Sequence, residues 1–247
     1  MQIDEKNIDI YPDIVSLTEA AVELVVTIAR EAVAARGRFT IALAGGNTPR
    51  PLYERLSQPP YLSRLPWEQT LIFWSDERFV HLDDERSNAG AAMELMLNHT
   101  PVPTRQIFPM FCEDIEVVEA AERYEGIVQS VFGNEEPRLD LVLLGCGEDG
   151  HTASLFPGSP ILQQARSLVS AVVKDSPDVP RITMTLPLLN RTREIIFIVA
   201  GENKAEIISQ VLRKHSGADP LPASLVAPTS GLVRWLLDQK AAQFLDT

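Results

Sequence analysis

An acid and an imidazole occur together in a glycine-rich segment, residues 145–152 (GCGEDGHT). The segment follows an apolar run that is typical of a buried strand. Its glycines allow the loop to place His151 against a bound molecule, and Asp149 can fix the tautomer of the imidazole and raise its basicity. A lone histidine is more often structural, but this context favours His151 as a catalytic base and Asp149 as its supporting acid.

A second glycine turn, residues 45–49 (GGNTP), follows another apolar run. Its glycines let the backbone approach a ligand closely, and a helix beginning after the turn would point free N–H groups at an anion. A tight turn with a Thr cap explains these residues equally well. The turn matches neither the dinucleotide-binding glycine pattern nor the Walker A loop, which disfavours a nucleotide. The candidate phosphate-binding residues of this turn are Gly45, Gly46, Asn47 and Thr48.

Further charged residues follow other apolar runs. Asp76 and Arg78 belong to residues 75–78 (SDER), which are expected at the rim of a sheet. A guanidinium binds phosphate through two parallel hydrogen bonds, and a carboxylate can orient a sugar hydroxyl or a water. Arg181 and Lys204 lie near the ends of predicted elements, where a cation could complete an anion pocket. Taken singly, each of these charges is also explained as an ordinary solvated residue.

The elements that must position these residues alternate between helices and strands. The first helix is predicted from a capping box of Ser16 and Glu19 to a stop at Gly37, and a second begins at Pro49 with Thr48 as its cap. Further helices are predicted at residues 88–97, 117–132 and 203–214. Strands are predicted at residues 39–44, 70–74, 139–144, 168–173, 194–199 and 224–227. The tail, residues 233–245, suits the end of an edge strand followed by a short closing helix.

Such alternation predicts the α/β class, with a mostly parallel sheet covered by helices on both faces. We expect a single domain over residues 1–247, because no repeat, low-complexity tract or linker divides the chain. Ligands of open parallel sheets bind beyond the carboxyl ends of the strands. The three charged or glycine-rich loops are therefore expected to meet at one edge of the sheet.

Composition limits the classes of partner. The formal net charge of -12 disfavours nucleic acid and anionic membranes, and an anionic substrate would need a local cluster of Arg and Lys. Two cysteines, Cys112 and Cys146, are too few for a disulfide framework and lack metal-site spacing. Residues 1–11 are charged and lack a signal-peptide core, and no apolar run approaches the roughly 18 residues of a membrane helix. We expect a cytoplasmic protein with no bound metal.

These motifs occur in the order and rough spacing of one enzyme family, and the chain resembles the 6-phosphogluconolactonases over nearly its whole length. The matching segments are residues 45–49, 75–78, 87–88, 147–157, 181–183 and 201–204. Residues 149–157 are the most specific, whereas the Gly-Gly turn is shared with sugar-phosphate isomerases and deaminases. The resemblance implies a three-layer α/β/α sandwich with a mostly parallel, Rossmann-like sheet. It also implies cofactor-free hydrolysis of 6-phospho-D-glucono-1,5-lactone, the second step of the oxidative pentose phosphate pathway.

The resemblance also implies roles for residues. It makes His151 the general base beside Asp149, and it makes Arg78, Lys204 and residues 45–48 phosphate ligands, with Arg181 as a further candidate. The expected partner is a small sugar-phosphate lactone, and the expected state is a monomer.

Two alternatives remain open at this point. The related glucosamine-6-phosphate deaminases carry a Glu five positions after the His, where this chain has Phe156, so the lactonase is favoured. A sugar-phosphate sensor on the same fold would carry a DNA-binding helix-turn-helix segment, and the acidic N-terminal region shows no basic recognition helix.

Overall fold

The structure, a computed structural model, describes residues 7–173, 178–213 and 219–245. Its strands are β1 (Ile8–Tyr11), β2 (Phe39–Leu43), β3 (Thr70–Trp74), β4 (Asp76–Arg78), β5 (Leu141–Leu144), β6 (Val169–Val172), β7 (Arg181–Met184), β8 (Glu194–Val199) and β9 (Leu232–Asp238). Its α-helices are α1 (Ile14–Arg36), α2 (Arg50–Leu56), α3 (Asn88–Leu95), α4 (Val117–Phe132), α5 (Leu186–Leu189) and α6 (Ala205–Leu212). Short 3-10 helices occupy Tyr61–Ser63, Trp67–Gln69, Leu97–His99, Thr104–Gln106, Pro160–Gln163, Glu202–Lys204 and Pro222–Leu225.

Six strands form the main sheet in the order β1-β9-β8-β5-β2-β3, and all neighbouring pairs are parallel. The chain moves from β2 outward to β3, but from β5 it moves the opposite way to β8 and β9. The winding therefore reverses between β2 and β5, and the crevice beyond their carboxyl ends is the usual ligand position of such sheets. The predicted α/β class and mostly parallel sheet are confirmed.

A second, antiparallel sheet of order β4-β7-β6 was not predicted. Residues 75–78 were expected only as a rim loop, and β7 was not expected at all. These strands are short and interrupted by charges, so they lack the alternation by which strands are recognised. Ser75 joins the two sheets, because its N–H donates to Leu43 O (2.8 Å) and its carbonyl accepts from the Met184 N–H (2.8 Å).

Helix α1 begins differently from the prediction. Its N-cap is Asp13, whose side chain accepts from the Ser16 N–H at 2.8 Å, so Ser16 lies in the first turn and is not the cap. Asp and Ser cap helices about equally well, so the sequence did not distinguish them, and the prediction of Ser16 as the cap is wrong. The predicted stop is confirmed: Gly37 has φ 71°, and its N–H donates to Val33 O at 2.8 Å. The helix packs against α2, β1, β2 and β9.

Several predicted boundaries are wrong near the C-terminus. Residues 224–227 are not a strand; a 3-10 helix occupies Pro222–Leu225, in a stretch whose prolines lack the N–H that a strand ladder needs. Strand β9 lies between β1 and β8 and is not an edge, and residues 239–244 form turns and not a helix. The helix predicted at residues 203–214 is a 3-10 turn followed by α6, and residue 214 lies outside the described residues.

The remaining predictions fall close to the structure. Helix α4 and strands β3 and β8 have the predicted bounds, and β2, β5 and β6 differ by a few residues. Helix α3 ends at Leu95, two residues early, and α2 begins at Arg50 after Pro49, so Thr48 is not its cap. None of the described helices is long and apolar enough to cross a membrane.

Candidate active site

The loop after β5 folds back on itself and presents His151. The Gly147 N–H donates to His151 O at 2.8 Å, and the Gly150 N–H donates to Gly147 O at 3.0 Å. Gly150 has φ 83°, a left-handed conformation that glycine adopts without strain. A Cβ atom on Gly147 would overlap Nδ1 of His151, so only glycine lets the imidazole pack on this turn. The glycines thus fix the position of the ring.

Asp149 binds the ring that this loop presents. Nδ1 of His151 lies 2.5 Å from Oδ1 of Asp149, and the His151 backbone N–H donates to the same oxygen at 3.0 Å. Burial raises the pKa of Asp149, but the hydrogen bonds and charge of His151 outweigh it and lower that pKa overall. An ionised Asp149 places the ring proton on Nδ1, so Nε2 is the nitrogen left to act as a base.

A cavity of about 440 Å³ lies beyond the carboxyl ends of β2, β3, β5 and β8. The predicted site residues in its wall are Gly45, Gly46, Asn47, Thr48, Asp76, Arg78, His151, Arg181 and Lys204. Asp149 is not part of the wall and enters the site through its contact with His151. The structure therefore gathers residues from five separate sequence segments into one place, at the reversal of the sheet.

Three cations make the cavity wall positive in an acidic chain. Arg78 and Arg181 stand opposite each other in the register of β4 and β7. Like charges in directly opposed positions are destabilising, and an anion between them would relieve that repulsion. Arg181 also pairs with Asp178 at 2.9 Å, and its side chain is only 8% exposed. Lys204 adds a third cation from the loop after β8.

The two acids of the SDER segment point in different directions. Asp76 lines the cavity, and its Oδ2 accepts from Ser154 Oγ at 2.7 Å. Glu77 instead accepts the backbone N–H groups of Asn88 and Ala89, each at 2.7 Å, at the start of α3. These hydrogen bonds lower the pKa of Glu77, but the effect of burial is larger and raises that pKa to about 7. Asp76 is thus available to a ligand, whereas Glu77 holds α3.

Asn88 is a site residue whose position depends on Gly45. Its amide donates to Asp76 O at 2.9 Å, and its side chain lies where a Cβ atom of residue 45 would be. Gly45 therefore serves close packing of the two loops in addition to any contact with a ligand. Ser87 caps α3, since its Oγ accepts from the Gly90 N–H at 3.0 Å, and Asn88 lies in the cavity wall.

Phe156 and Asn203 also contribute to the site, through contacts that the sequence did not predict. The Phe156 ring lies between His151, at 4.9 Å between ring centroids, and the Arg181 guanidinium, at 5.6 Å. Asn203 lines the cavity and bonds Glu148 at 2.5 Å. These positions lie inside or beside the recognised motifs, but residue type alone does not show which side chains of a loop point toward the cavity.

Cys146 also lines the cavity, with its thiol buried. Burial raises the pKa of that thiol to about 12, so the sulfur stays protonated and is a poor nucleophile. Within the described residues, no three His, Cys, Asp or Glu side chains are grouped as a metal site.

The molecule is thus an α/β protein with an open parallel sheet, and a crevice with a cationic wall and an Asp–His pair lies at the reversal point, where such sheets bind small ligands. The sequence profile of the glucosamine-6-phosphate isomerases/6-phosphogluconolactonase family matches residues 12–235. The chain belongs to this family, and the predicted resemblance to the 6-phosphogluconolactonases is confirmed.

Individual relatives agree with this placement. A 6-phosphogluconolactonase of Synechocystis sp. is 40% identical over 232 residues, which cover 93% of this chain and 94% of the relative. The solved structure of a 6-phosphogluconolactonase from Trypanosoma cruzi matches with a TM-score of 0.86 at 25% identity, over 100% of this chain and 99% of that one. A monomeric glucosamine-6-phosphate deaminase also superposes, with a TM-score of 0.80 over 96% of this chain and 99% of that chain, but at 20% identity it shows only the shared fold.

Proposed function

We propose that the chain is a 6-phosphogluconolactonase, a carboxylic ester hydrolase that converts 6-phospho-D-glucono-1,5-lactone to 6-phospho-D-gluconate. This reaction is the second step of the oxidative pentose phosphate pathway. The observation that carries the proposal is the Asp149–His151 pair at the wall of a cavity that also holds Arg78, Arg181 and Lys204. A base and an anion-binding wall in one cavity suit a substrate with a reactive carbonyl at one end and a phosphate at the other.

The charged end of the substrate explains the cations. A phosphate held by Arg78, Lys204 and residues 45–48, with Arg181 beside it, would stand away from the reacting carbon. Such remote binding orients the carbonyl and restricts its motion, which lowers the barrier without any chemistry at the phosphate. Asp76, fixed by Ser154, is placed to accept a hydrogen bond from a sugar hydroxyl.

The chemical step needs one proton carrier. Nε2 of His151 takes a proton from a water molecule, and the resulting hydroxide attacks the lactone carbonyl carbon. The tetrahedral intermediate then expels its ring oxygen, which receives the proton back from His151. Backbone N–H groups of the glycine loop or a neighbouring Arg stabilise the oxyanion. A positioned base of this kind contributes roughly 10²–10⁴-fold.

The deaminase is the second candidate, because its fold and the Asp-Gly-His core are shared. Phe156 argues against it. Its apolar ring occupies the space between His151 and Arg181, where no proton can be donated or accepted. A lactone needs only an activated water, so the same site suits hydrolysis.

We further propose that the protein works in the cytoplasm as a monomer, on a small diffusible substrate and without a cofactor or metal. A formal net charge of -12 disfavours nucleic acid and anionic membranes as partners.

The test follows the decay of freshly generated lactone with and without the protein, in the presence of a chelator, after subtraction of the uncatalysed rate. Ammonia release from glucosamine 6-phosphate is measured in parallel. We expect accelerated, chelator-resistant lactone decay and no ammonia. Ammonia release would support the deaminase, and binding of sugar phosphate without either reaction would support a sensor.

A further inference from the structure

The opposite end of the main sheet carries a second concentration of charge, which the proposed reaction does not use. Arg38, Asp140 and Arg193 each come directly before a strand, namely β2, β5 and β8. Because these strands are parallel neighbours, their amino ends lie side by side. The cluster therefore lies at the far end of the same three strands whose carboxyl ends form the catalytic cavity.

Asp140 organises this cluster. Its side chain is only 4% exposed; Oδ2 accepts from the Thr40 N–H at 2.8 Å and from Thr40 Oγ1 at 2.9 Å. Oδ1 pairs with Arg36, which ends α1, at 2.8 Å. Both oxygens of this carboxylate are thus occupied, and Asp140 has little capacity left to neutralise further guanidinium groups.

Around a small cavity of about 130 Å³, arginine side chains outnumber the buried carboxylate of Asp140. The guanidinium groups in its wall belong to Arg36, Arg38, Arg138 and Arg193. The other acids of the wall, Glu135 and Glu136, are 80% and 70% exposed, against 35% for Arg36 and Arg38 and 37% for Arg193, so water screens the acids more strongly than the arginines. Burial and the charges of Arg36 and Arg138 lower the pKa of Arg193, which reflects the same crowding of positive charge.

Two of these guanidinium groups are incompletely hydrogen-bonded within the protein. Among the described residues, Nε of Arg138 and Nε of Arg193 are buried and have no hydrogen-bond acceptor. Arg138 is held by a carbonyl and not by a carboxylate, since its NH2 donates to Ser230 O at 2.7 Å. Arg193 Nε lies 3.5 Å from Asp140 Oδ1, an ion pair without hydrogen-bond geometry. Buried donors without acceptors are costly, and because these two nitrogens are closed to solvent, they mark guanidinium groups that are incompletely neutralised and are not themselves contact points for an anion.

We propose that this amino-end arginine cluster, formed by Arg36, Arg38, Arg138 and Arg193, is a second anion site that binds inorganic phosphate. Guanidinium groups bind tetrahedral oxyanions through paired, charge-assisted hydrogen bonds. The cavity has about the volume of four water molecules at roughly 30 Å³ each, which suits a phosphate ion but not a whole sugar phosphate. Asp140, the buried acid of the wall, already has both oxygens bonded, so we assign this site binding and no chemistry.

The experiment is equilibrium dialysis of labelled inorganic phosphate against the full chain at low ionic strength. Arg138→Gln is the test variant, because its loss leaves the Asp140 ion pairs in place. Arg191→Gln is the matched control: it removes the same charge nearby, but Arg191 pairs with Glu136 at 3.0 Å and does not line the cavity. Chemical unfolding curves establish that each variant is folded, and Arg38→Gln replaces Arg138→Gln if the latter does not fold.

We expect Arg138→Gln to weaken one class of phosphate site at least ten-fold and Arg191→Gln to leave it unchanged. Arg78→Gln, which alters the catalytic cavity, should keep this class of site. Phosphate binding by Arg138→Gln equal to that of the native chain would overturn the proposal. If a hexose 6-phosphate bound the same site as tightly as inorganic phosphate, the assignment of inorganic phosphate as the ligand would be overturned.

Discussion

Asp140 and Asp149 show how the two ends of the main sheet use the same side chain differently. Asp140 is 4% exposed and accepts hydrogen bonds from Thr40 and Arg36, which tie β5 to β2 and to the end of α1. Asp149 is 52% exposed, and its hydrogen-bond partner is His151, two positions along its own loop. The buried carboxylate with several donors stabilises the fold, whereas the half-exposed one bonds a single ring at the cavity wall, that of the proposed base. Burial and the sequence distance to the partners separate the two roles.

Glycines at the two ends differ in a similar way. Gly37 ends α1 with φ 71° and has open space around it, so it serves only the backbone. Gly45, at the cavity, lies against the Asn88 side chain and serves packing within the site. The amino end is thus fixed by ion pairs and a helix cap, and the carboxyl end by close contacts between loops.

The largest effect on stability is expected for Asp140→Ala. Removing this carboxylate leaves the buried Thr40 N–H without its acceptor, and Arg36, which is 35% exposed, without its ion-pair partner, so we expect a loss of roughly 3 kcal/mol. Urea unfolding should show this loss, while kcat of the folded protein changes little, since the catalytic cavity is at the other end of the sheet. A loss below about 1 kcal/mol would mean that Asp140 does not hold these strands together.

A second comparison sets Gly45→Ala against Gly37→Ala. The added methyl group at position 45 displaces Asn88 from its bond to Asp76, so we expect up to about 3 kcal/mol of destabilisation and a clearly higher KM. At position 37 only backbone strain of about 1–2 kcal/mol is expected, with KM unchanged. Steady-state kinetics and unfolding curves of both variants measure this contrast. Equal effects on KM would remove the distinction between the two glycines.

Glu77 gives a smaller effect that depends on pH. Its folded pKa, about 7, lies above the ordinary value of 4.5, so the folded state holds this proton more tightly than the unfolded chain. Its stabilising contribution is therefore fully present below about pH 4.5 and is lost as pH rises through 7. Unfolding free energy should fall by about 2 kcal/mol between pH 5 and 7.5 on account of this group. Glu77→Gln should remove that part of the pH dependence, and an unchanged profile would contradict the assignment.

Sequence alone predicted the parts of the molecule that have a strong local signal. The apolar runs of β2, β3, β5 and β8 and the period of α4 needed no tertiary information. The glycine-rich loops followed directly from these strands, so the rule that ligands bind at carboxyl ends brought the candidate residues together correctly. The cavity wall holds the predicted Gly45, Asp76, Arg78, His151 and Lys204.

What was missed depends on contacts between distant segments. The pairing of β4 with β7, which opposes Arg78 to Arg181, is set by tertiary packing and leaves no periodic pattern in either segment. The contact of Phe156 with His151 could not be predicted either, since residue type does not show which way a loop side chain points. The amino-end arginine cluster comes from three separate segments, at residues 36–38, 138 and 193, and has no motif.

The central claim is that His151, positioned by Asp149, activates water while other residues hold the phosphate. The most direct measurement is kcat for lactone hydrolysis by His151→Ala and Asp149→Asn, together with binding of the product 6-phosphogluconate. The account predicts that His151→Ala lowers kcat by roughly 10²–10⁴-fold, that Asp149→Asn also lowers it, and that both variants still bind 6-phosphogluconate almost normally. A His151→Ala variant that keeps its kcat, or that loses product binding and kcat in equal measure, would contradict it.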